Sequence, residues 1–348
     1  MLILWVMRLL LLALLLLISG AYAWQWALNQ LNAPMPLTSE EEVYWLKPGD
    51  GLYQVADELK QRGWFAYPEL LVWHKRLLQP GGTIKTGEYA VRKGTSALEL
   101  VEMLHKGKVL EYRVTLVEGF TFKQFLQTLH AEPKLKKTLA GVSDGAIMER
   151  IGATGEHPEG RFFPDTYTYH ASMTDLDILK QSYQRMQQTL EQAWAGRQPN
   201  LPYKNAYEAL IMASIIEKET GVASEREQIA GVFVRRLQKG MRLQTDPTVI
   251  YGLGERFKGN LTRQHLREPT PYNTYTINGL PPTPIAMPGK ASLYAAVNPA
   301  EGKALYFVAS GDGGHVFSNN LNEHNNAVQR YLRKLRENKA EASDEEQQ

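Results

Sequence analysis

Cysteine is absent from the 348 residues. That excludes disulfides, thiol nucleophiles and cysteine-based metal sites, and it fits an oxidising compartment. An excess of charge is also lacking. The 39 basic and 37 acidic side chains leave a formal net charge of +2, so nothing draws the chain to a nucleic-acid backbone and no nucleic-acid partner is expected. The eight histidines are scattered without a His-x-x-x-His spacing, and no metal or other cofactor is expected. The Gly-x-Gly strings at Gly252 and Gly311 lack the surroundings of a phosphate loop.

One long apolar run is present. Met1–Ala23 carries a single charge, Arg8, and Leu9–Ile18 is nearly all leucine, with Trp24 and Trp26 following where an interfacial aromatic belt would sit. The run reaches the roughly 20 residues that a membrane span needs. A cleaved signal peptide is the rival reading, because Ala21-Tyr22-Ala23 has the small-x-small form. Either one places the remainder outside the cytoplasm. Asn29–Glu42, polar with two prolines, reads as a linker.

A pattern then appears three times: Leu46-Lys47-Pro48-Gly49, Val91-Arg92-Lys93-Gly94 and Leu116-Val117-Glu118-Gly119, each followed by an amphipathic helix. The glycine is expected to close a strand so that the helix packs back on it. With a further helix at Pro68–Leu78 and a strand at Thr83–Val91, residues 43–106 read as a small strand–helix–helix–strand module. Val109–Val117 is expected as a strand, with helices at Phe122–His130 and Leu135–Leu139, and Gly141–Arg161 as loop-rich. Further helices are expected at Asp175–Trp194, Ser224–Gln238, Thr262–Glu268 and Ser292–Val297. Leu305–Ser310 and Val316–Ser318 read as a hairpin, and Leu321–Glu337 as the last helix.

Asn205–Thr220 is the stretch that the rest is built to hold. It contains no Gly or Pro, is rich in Ala, Leu, Ile and Met, and reads as a buried helix. Met212, Ile215, Ile216 and Glu219 share one stripe, whereas Glu217 points away from it. A carboxyl on an apolar stripe must be paired, hydrogen-bonded or kept protonated, and the last is what a general acid requires. Periodicity alone leaves open that Glu219 is solvated or ion-paired. Nearby loops supply the polar candidates Gln244, Thr245 and Asp246, then Asn273, Tyr275, Asn298 and His315, with Glu159 and Asp165 in an aromatic, proline-rich segment. Aromatic rings beside amides and hydroxyls suit sugar, since ring faces stack on pyranose while polar groups take hydroxyls.

Two resemblances sharpen this reading. The stretch VYWLKPGDGLYQVADEL resembles the opening of a LysM carbohydrate-binding module, although an ordinary α+β spacer reads the same way. More specific are Glu159-Gly160 with Phe163-Pro164-Asp165-Thr166-Tyr167, Ala213–Thr220 around Glu217-Lys218-Glu219, and Leu243-Gln244-Thr245-Asp246-Pro247-Thr248-Val249. Asn273-Thr274-Tyr275, Gly279-Leu280-Pro281-Pro282, Pro288-Gly289, Asn298-Pro299, Tyr306-Phe307-Val308 and His315-x-Phe317 follow in order. On these, residues 109–335 resemble the catalytic domain of the YceG-like family of endolytic murein transglycosylases.

The resemblance implies Glu219 as catalytic acid and base, with Glu217 as a neighbouring carboxylate. It favours a retained membrane anchor over a cleaved signal, and implies peptidoglycan strands as substrate with penicillin-binding proteins as partners. It places the chain in the inner membrane, single-pass, with its bulk in the periplasm. The expected fold is α+β: a transmembrane helix (1–26), a linker (27–42), a LysM-like α/β module (43–106), a mixed α+β catalytic domain (107–337) and a disordered tail (338–348). A lysozyme-like hydrolase and a non-enzymatic murein-binding scaffold stay as alternatives.

Overall fold

A computed structural model describes residues 2–78 and 82–345. Met1 and, from the expected tail, residues 346–348 lie outside the described residues. The chain divides into two compact units, residues 1–112 with 134–136 and 168–173 in the first, and the remaining residues in the second. Mixed helices and strands make the fold α+β, as the sequence predicts.

The first unit opens with helix α1 (Leu2–Asn32). It is long and apolar enough to cross a membrane, and its side chains from Ile3 to Ile18 are exposed. Strand β1 (Glu41–Leu46), helices α2 (Leu52–Gln61) and α3 (Pro68–Leu78), strand β2 (Gly87–Arg92) and helix α4 (Ala97–Lys106) follow. The strand–helix–helix–strand order is the expected one. β1 and β2 are antiparallel, with Tyr44 opposite Tyr89 and Leu46 opposite Gly87. Both tyrosines are fully buried, in a core shared with Val55, Leu59, Leu71, Leu100 and Leu104.

The expected linker differs from its sequence reading. α1 continues to Asn32, and Leu31, Met35 and Leu37 are buried in the module core. The Met35 amide donates to the Thr95 carbonyl at 2.9 Å. The two prolines made this segment look like a free tether, but three apolar residues at alternating or near-alternating positions seat it.

The paired strands β3 (Tyr112–Thr115) and β4 (Thr166–Tyr169) belong to the second unit through residues 113–115 and 166–167, and between them in sequence lie α5 (Phe122–Ala131) and α6 (Asp144–Ile151). Helices α7 (Asp175–Ala195), α8 (Ala206–Glu219), α9 (Arg226–Gln238), α10 (Asp246–Leu253), α11 (Arg263–Arg267) and α12 (Lys290–Val297) come next. The hairpin β5 (Tyr306–Ala309) and β6 (His315–Ser318) leads to α13 (Leu321–Glu345). The three glycines that close the repeated pattern, Gly49, Gly94 and Gly119, have φ of +92°, +95° and +76°. That is the left-handed region where a side chain is strained.

The core of this unit is built on α8. Its residues from Ala209 to Ile216 are all buried, so the helix is enclosed on every side rather than along one stripe. Asn205 starts it, its side chain accepting from the Glu208 amide at 3.0 Å. Leu210, Ile211, Ile215 and Ile216 each contribute on the order of 2 kcal/mol by burial against Ile229 and Phe233 of α9 and Leu293 and Ala296 of α12.

Two expectations are corrected, and one is filled out. Leu135–Leu139 is not a helix, because its amides are taken elsewhere. The fully buried Asp175 accepts from the amides of Thr138 and Leu139 at 2.9 and 3.0 Å and from the Thr138 hydroxyl at 2.6 Å. The loop-rich segment 141–161 also contains a helix the sequence reading did not name, α6, started by Ser143 and stopped by Gly152 at φ +94°. α13 runs on to Glu345 instead of ending at Glu337, since its final turns are Ala-, Glu- and Lys-rich with no Gly or Pro.

Removing the Asp175 carboxylate takes the acceptor from three backbone amides, those of Thr138, Leu139 and Leu176. Asp175→Ala is expected to cost on the order of 3 kcal/mol in urea unfolding followed by circular dichroism. Asp175→Asn, which keeps an acceptor, is expected to cost less.

Candidate active site

Glu219 is the last residue of α8, at the negative end of the helix dipole, where a carboxylate is disfavoured. It is half-buried in the wall of a pocket of about 340 Å³. Across from it α10 begins with Asp246, and Pro247 sits in the first turn. There the proline's missing amide costs nothing.

Thr245 holds the two helices together at this point. It is the residue before α10, but its hydroxyl does not cap that helix; it donates instead to Oε1 of Glu219. A net of threonines fixes it. The Thr245 amide donates to the Thr274 hydroxyl at 3.0 Å, and the Thr248 hydroxyl reaches the Thr245 carbonyl at 2.7 Å and the Thr274 hydroxyl at 2.8 Å. All three side chains are buried.

Gln244 precedes them with φ of +53°, in the left-handed region, a strain of about 1 kcal/mol or more. Two contacts hold it there. Its amide donates to the Thr274 carbonyl at 3.2 Å, and its side-chain oxygen accepts from Arg236 at 2.6 Å. Tyr275 completes this wall, donating to Asp246 Oδ1 at 2.6 Å. Burial pushes the Glu219 carboxyl up to about 7, and the Asp246 charge adds to this; the Thr245 hydroxyl and His315 pull the other way.

The pocket therefore unites Glu219, Gln244, Thr245, Asp246 and Tyr275. His315 stands behind the wall. Its amide and Nδ1 both bond Glu225, at 2.8 and 2.7 Å, and its ring meets Phe307 edge-on at 5.3 Å.

The remaining candidates lie elsewhere. Asn273 is fully buried, and its side-chain NH₂ donates to the carbonyls of His265, Leu266 and Glu268. It stiffens the loop that carries Thr274 and Tyr275 and does not face the pocket. Asn298 ends α12, bonded to the Tyr294 carbonyl at 3.2 Å. Asp165 pairs with Arg185 at 2.6 Å and receives the Thr166 amide, which makes it a turn-holding residue.

Glu159 lines a separate pocket of about 660 Å³ with Tyr251 and Lys218. It accepts from the Phe122 amide and the Tyr251 hydroxyl, both at 3.0 Å, and burial pushes its carboxyl up to about 7. Glu217 accepts from the Gly289 amide at 3.0 Å and the Ser292 hydroxyl at 2.7 Å, fastening the start of α12 to the end of α8.

Pocket residues not singled out as sugar contacts from the sequence are Arg236, Tyr306 and His324. The Arg236 guanidinium lies 5.3 Å from the Tyr306 ring, and the His324 ring stacks on Tyr306 with centroids 5.2 Å apart. They come from α9, β5 and α13. The one hint in the sequence is an arginine on a core-forming helix. The string Gly141-Val142-Ser143-Asp144-Gly145 spells a nucleophile elbow, but Ser143 is exposed, follows a turn and starts α6. No elbow forms there.

The YceG-like family model matches residues 44–330. The chain belongs to the YceG-like family. A Bacillus subtilis member, an endolytic murein transglycosylase, is 32% identical over 266 residues, which are 71% of this chain and 73% of the relative. One from Streptococcus pneumoniae, described in the same words, is 25% identical over 90% of this chain, which spans 62% of that longer relative. The crystal structure of a yceG-like protein from Listeria monocytogenes superposes with a TM-score of 0.54 at 29% identity, covering 82% of this chain and 98% of that one.

Two measurements check this electrostatic picture. Thr245→Val removes a donor that favours the ionised carboxyl, so the Glu219 ionisation midpoint, followed by NMR of its labelled side-chain carboxyl, is expected to move upward by about one pH unit. Thr245→Ser is expected to leave it in place.

The second is thermal melting against pH. Unfolded, Glu219 ionises near 4.5; folded, it keeps its proton to about 7. The stability this confers is full below about pH 4.5 and is lost as pH rises through about 7. Glu219→Gln cannot ionise, so its melting temperature is expected to gain on the parent across that window and then hold a constant lead. Glu159 titrates in both proteins and cancels.

Proposed function

We propose that the chain is an endolytic murein transglycosylase in which Glu219 acts as general acid and then general base. The observation that carries this is a carboxyl, raised to about 7 by burial, in the wall of an open pocket with polar groups on its far side. A group with that pKa holds a proton to give and is a competent base once it has given it.

The substrate is the β-1,4 bond between N-acetylmuramic acid and N-acetylglucosamine. Glu219 protonates the glycosidic oxygen as the C1–O bond breaks, and the glucosamine leaves as an alcohol. Positive charge developing at C1 is met by the muramyl acetamide oxygen, as in substrate-assisted glycosidases. Asp246, its carboxylate oriented by the Tyr275 hydroxyl, adds negative potential to the same pocket. The Glu219 carboxylate then takes the proton of the C6 hydroxyl, and O6 closes on C1 to leave a 1,6-anhydro end. Glu219 is protonated again and water is not consumed. Gln244, with Arg236 behind it, and Tyr275 are the groups we assign to hydroxyl and acetamide contacts. His315 and Asn273 support the wall, and Asn298 keeps to the end of α12.

The division of labour follows the domain plan: an anchor at 1–26, a LysM-like module at 43–106 and a catalytic domain from 107. The βααβ order of the module is what supports a glycan-holding role. α1 supports a single-pass inner-membrane protein with its bulk in the periplasm. Nascent strands made by penicillin-binding proteins are the substrate that such an anchor brings within reach.

Mass spectrometry of products from polymeric murein tests the reading, with the full chain and its Glu219→Gln variant. Anhydro-ended fragments are expected from the parent and none from the variant. Reducing ends would make the protein a hydrolase, and tight glycan binding without cleavage by either would make it a scaffold.

A further inference from the structure

Helix α3 carries two apolar stripes, and the module core uses one. Leu71 and Val72 face inward, exposed by 1% and 5%. Leu70, Trp73 and Leu77 recur at i, i+3 and i+7 on another face, and Trp73 and Leu77 are 67% and 64% exposed. An amphipathic helix of a soluble module needs a single apolar stripe and a charged outer face. Large exposed apolar groups in a contiguous patch mark a surface that something covers.

The second observation is what lies beside the patch. A cleft of about 420 Å³ runs between α3 and α1, walled by Leu70, Trp73 and Leu77 on one side and Gly20, Trp24 and Leu28 on the other. Trp26 of α1 meets Tyr67, just before α3, edge-on at 5.1 Å. The apolar face of α3 is thus continuous with the apolar surface of α1.

Length places this continuity at a definite height. A hydrocarbon core of about 30 Å consumes about 20 residues of helix. Counted from Ile3, the core is crossed near Tyr22, so Trp24 and Trp26 fall at headgroup level, where tryptophan and tyrosine are favoured. The cleft starts at Gly20 and the patch flanks it.

We infer that the outer face of α3 lies on the surface of the bilayer that α1 crosses, with Trp73 and Leu77 dipped among the lipid headgroups and upper acyl chains. The inference rests on reading α1 as a membrane anchor. Its partner is lipid, and its effect is to hold the module against the membrane by two contacts in place of one.

The absence of cysteine makes the test clean. Single nitroxides are attached to the full chain in phosphatidylethanolamine–phosphatidylglycerol nanodiscs through Trp73→Cys, Leu77→Cys, Tyr53→Cys and Leu16→Cys, and their collisions with dissolved oxygen and with an aqueous nickel chelate are compared. Oxygen is expected to dominate at 16, 73 and 77, and the chelate at 53, which is exposed on α2. Chelate dominance at 73 and 77 with oxygen dominance at 16 overturns the inference and leaves the anchor standing. Chelate dominance at 16 removes the anchor itself. Shielding of 73 and 77 from both reagents overturns it in favour of a protein partner.

Discussion

Everything around the pocket depends on shielding one half-buried carboxyl without giving it a cation. A buried carboxylate ordinarily acquires a Lys or Arg, and its pKa falls. Glu219 receives a threonine hydroxyl instead, which orients the group but supplies no full charge. The nearest arginine of the pocket, Arg236, is engaged by Gln244 and the Tyr306 ring. Asp246 sits in the same wall, so like charge adds to burial. The three threonines, the strained Gln244 backbone and the fully buried Asn273 are then intelligible as the scaffold that keeps this unfavourable arrangement from relaxing.

The two glutamates of Glu217-Lys218-Glu219 show how a shared sequence context divides into different work. Two residues apart on a helix, they point in different directions. One closes the start of α12 through Gly289 and Ser292, and the other enters the pocket. α8 therefore combines an unbroken buried run, Ala209 to Ile216, with an end that opens on the pocket. Its interior residues fix where that end can be.

Legibility in the sequence follows the range of the interactions involved. α8 was readable because a run with no Gly or Pro and a clear Asn cap is decided locally, and the position of Glu219 followed from it. Gln244, Thr245, Asp246 and Tyr275 were readable as polar residues in rigid loops, and they do meet in the pocket. Asn273 and Asp165 looked the same in sequence, yet the first spends its amide on three carbonyls of its own loop and the second on Arg185. Composition cannot tell a polar side chain facing a pocket from one facing its own backbone. Arg236, Tyr306 and His324 converge from three distant elements, so nothing local announces that they share a pocket. Leu135–Leu139 failed as a helix for the same reason: the competitor for its amides, Asp175, lies about ten turns of sequence away, in another element.

The way the chain leaves α1 has a mechanical consequence. Leu31 is the last turn of the long helix and also part of the module core, with Met35 and Leu37 seated just after it. Such a junction behaves as a rod and not as a string. Tilting or turning the helix turns the module with it, and its distance from the start of α1 is set by helix geometry. One residue inserted before Leu31 would lift the module by about 1.5 Å and swing it by about 100°, whereas the same insertion in a slack tether would change almost nothing.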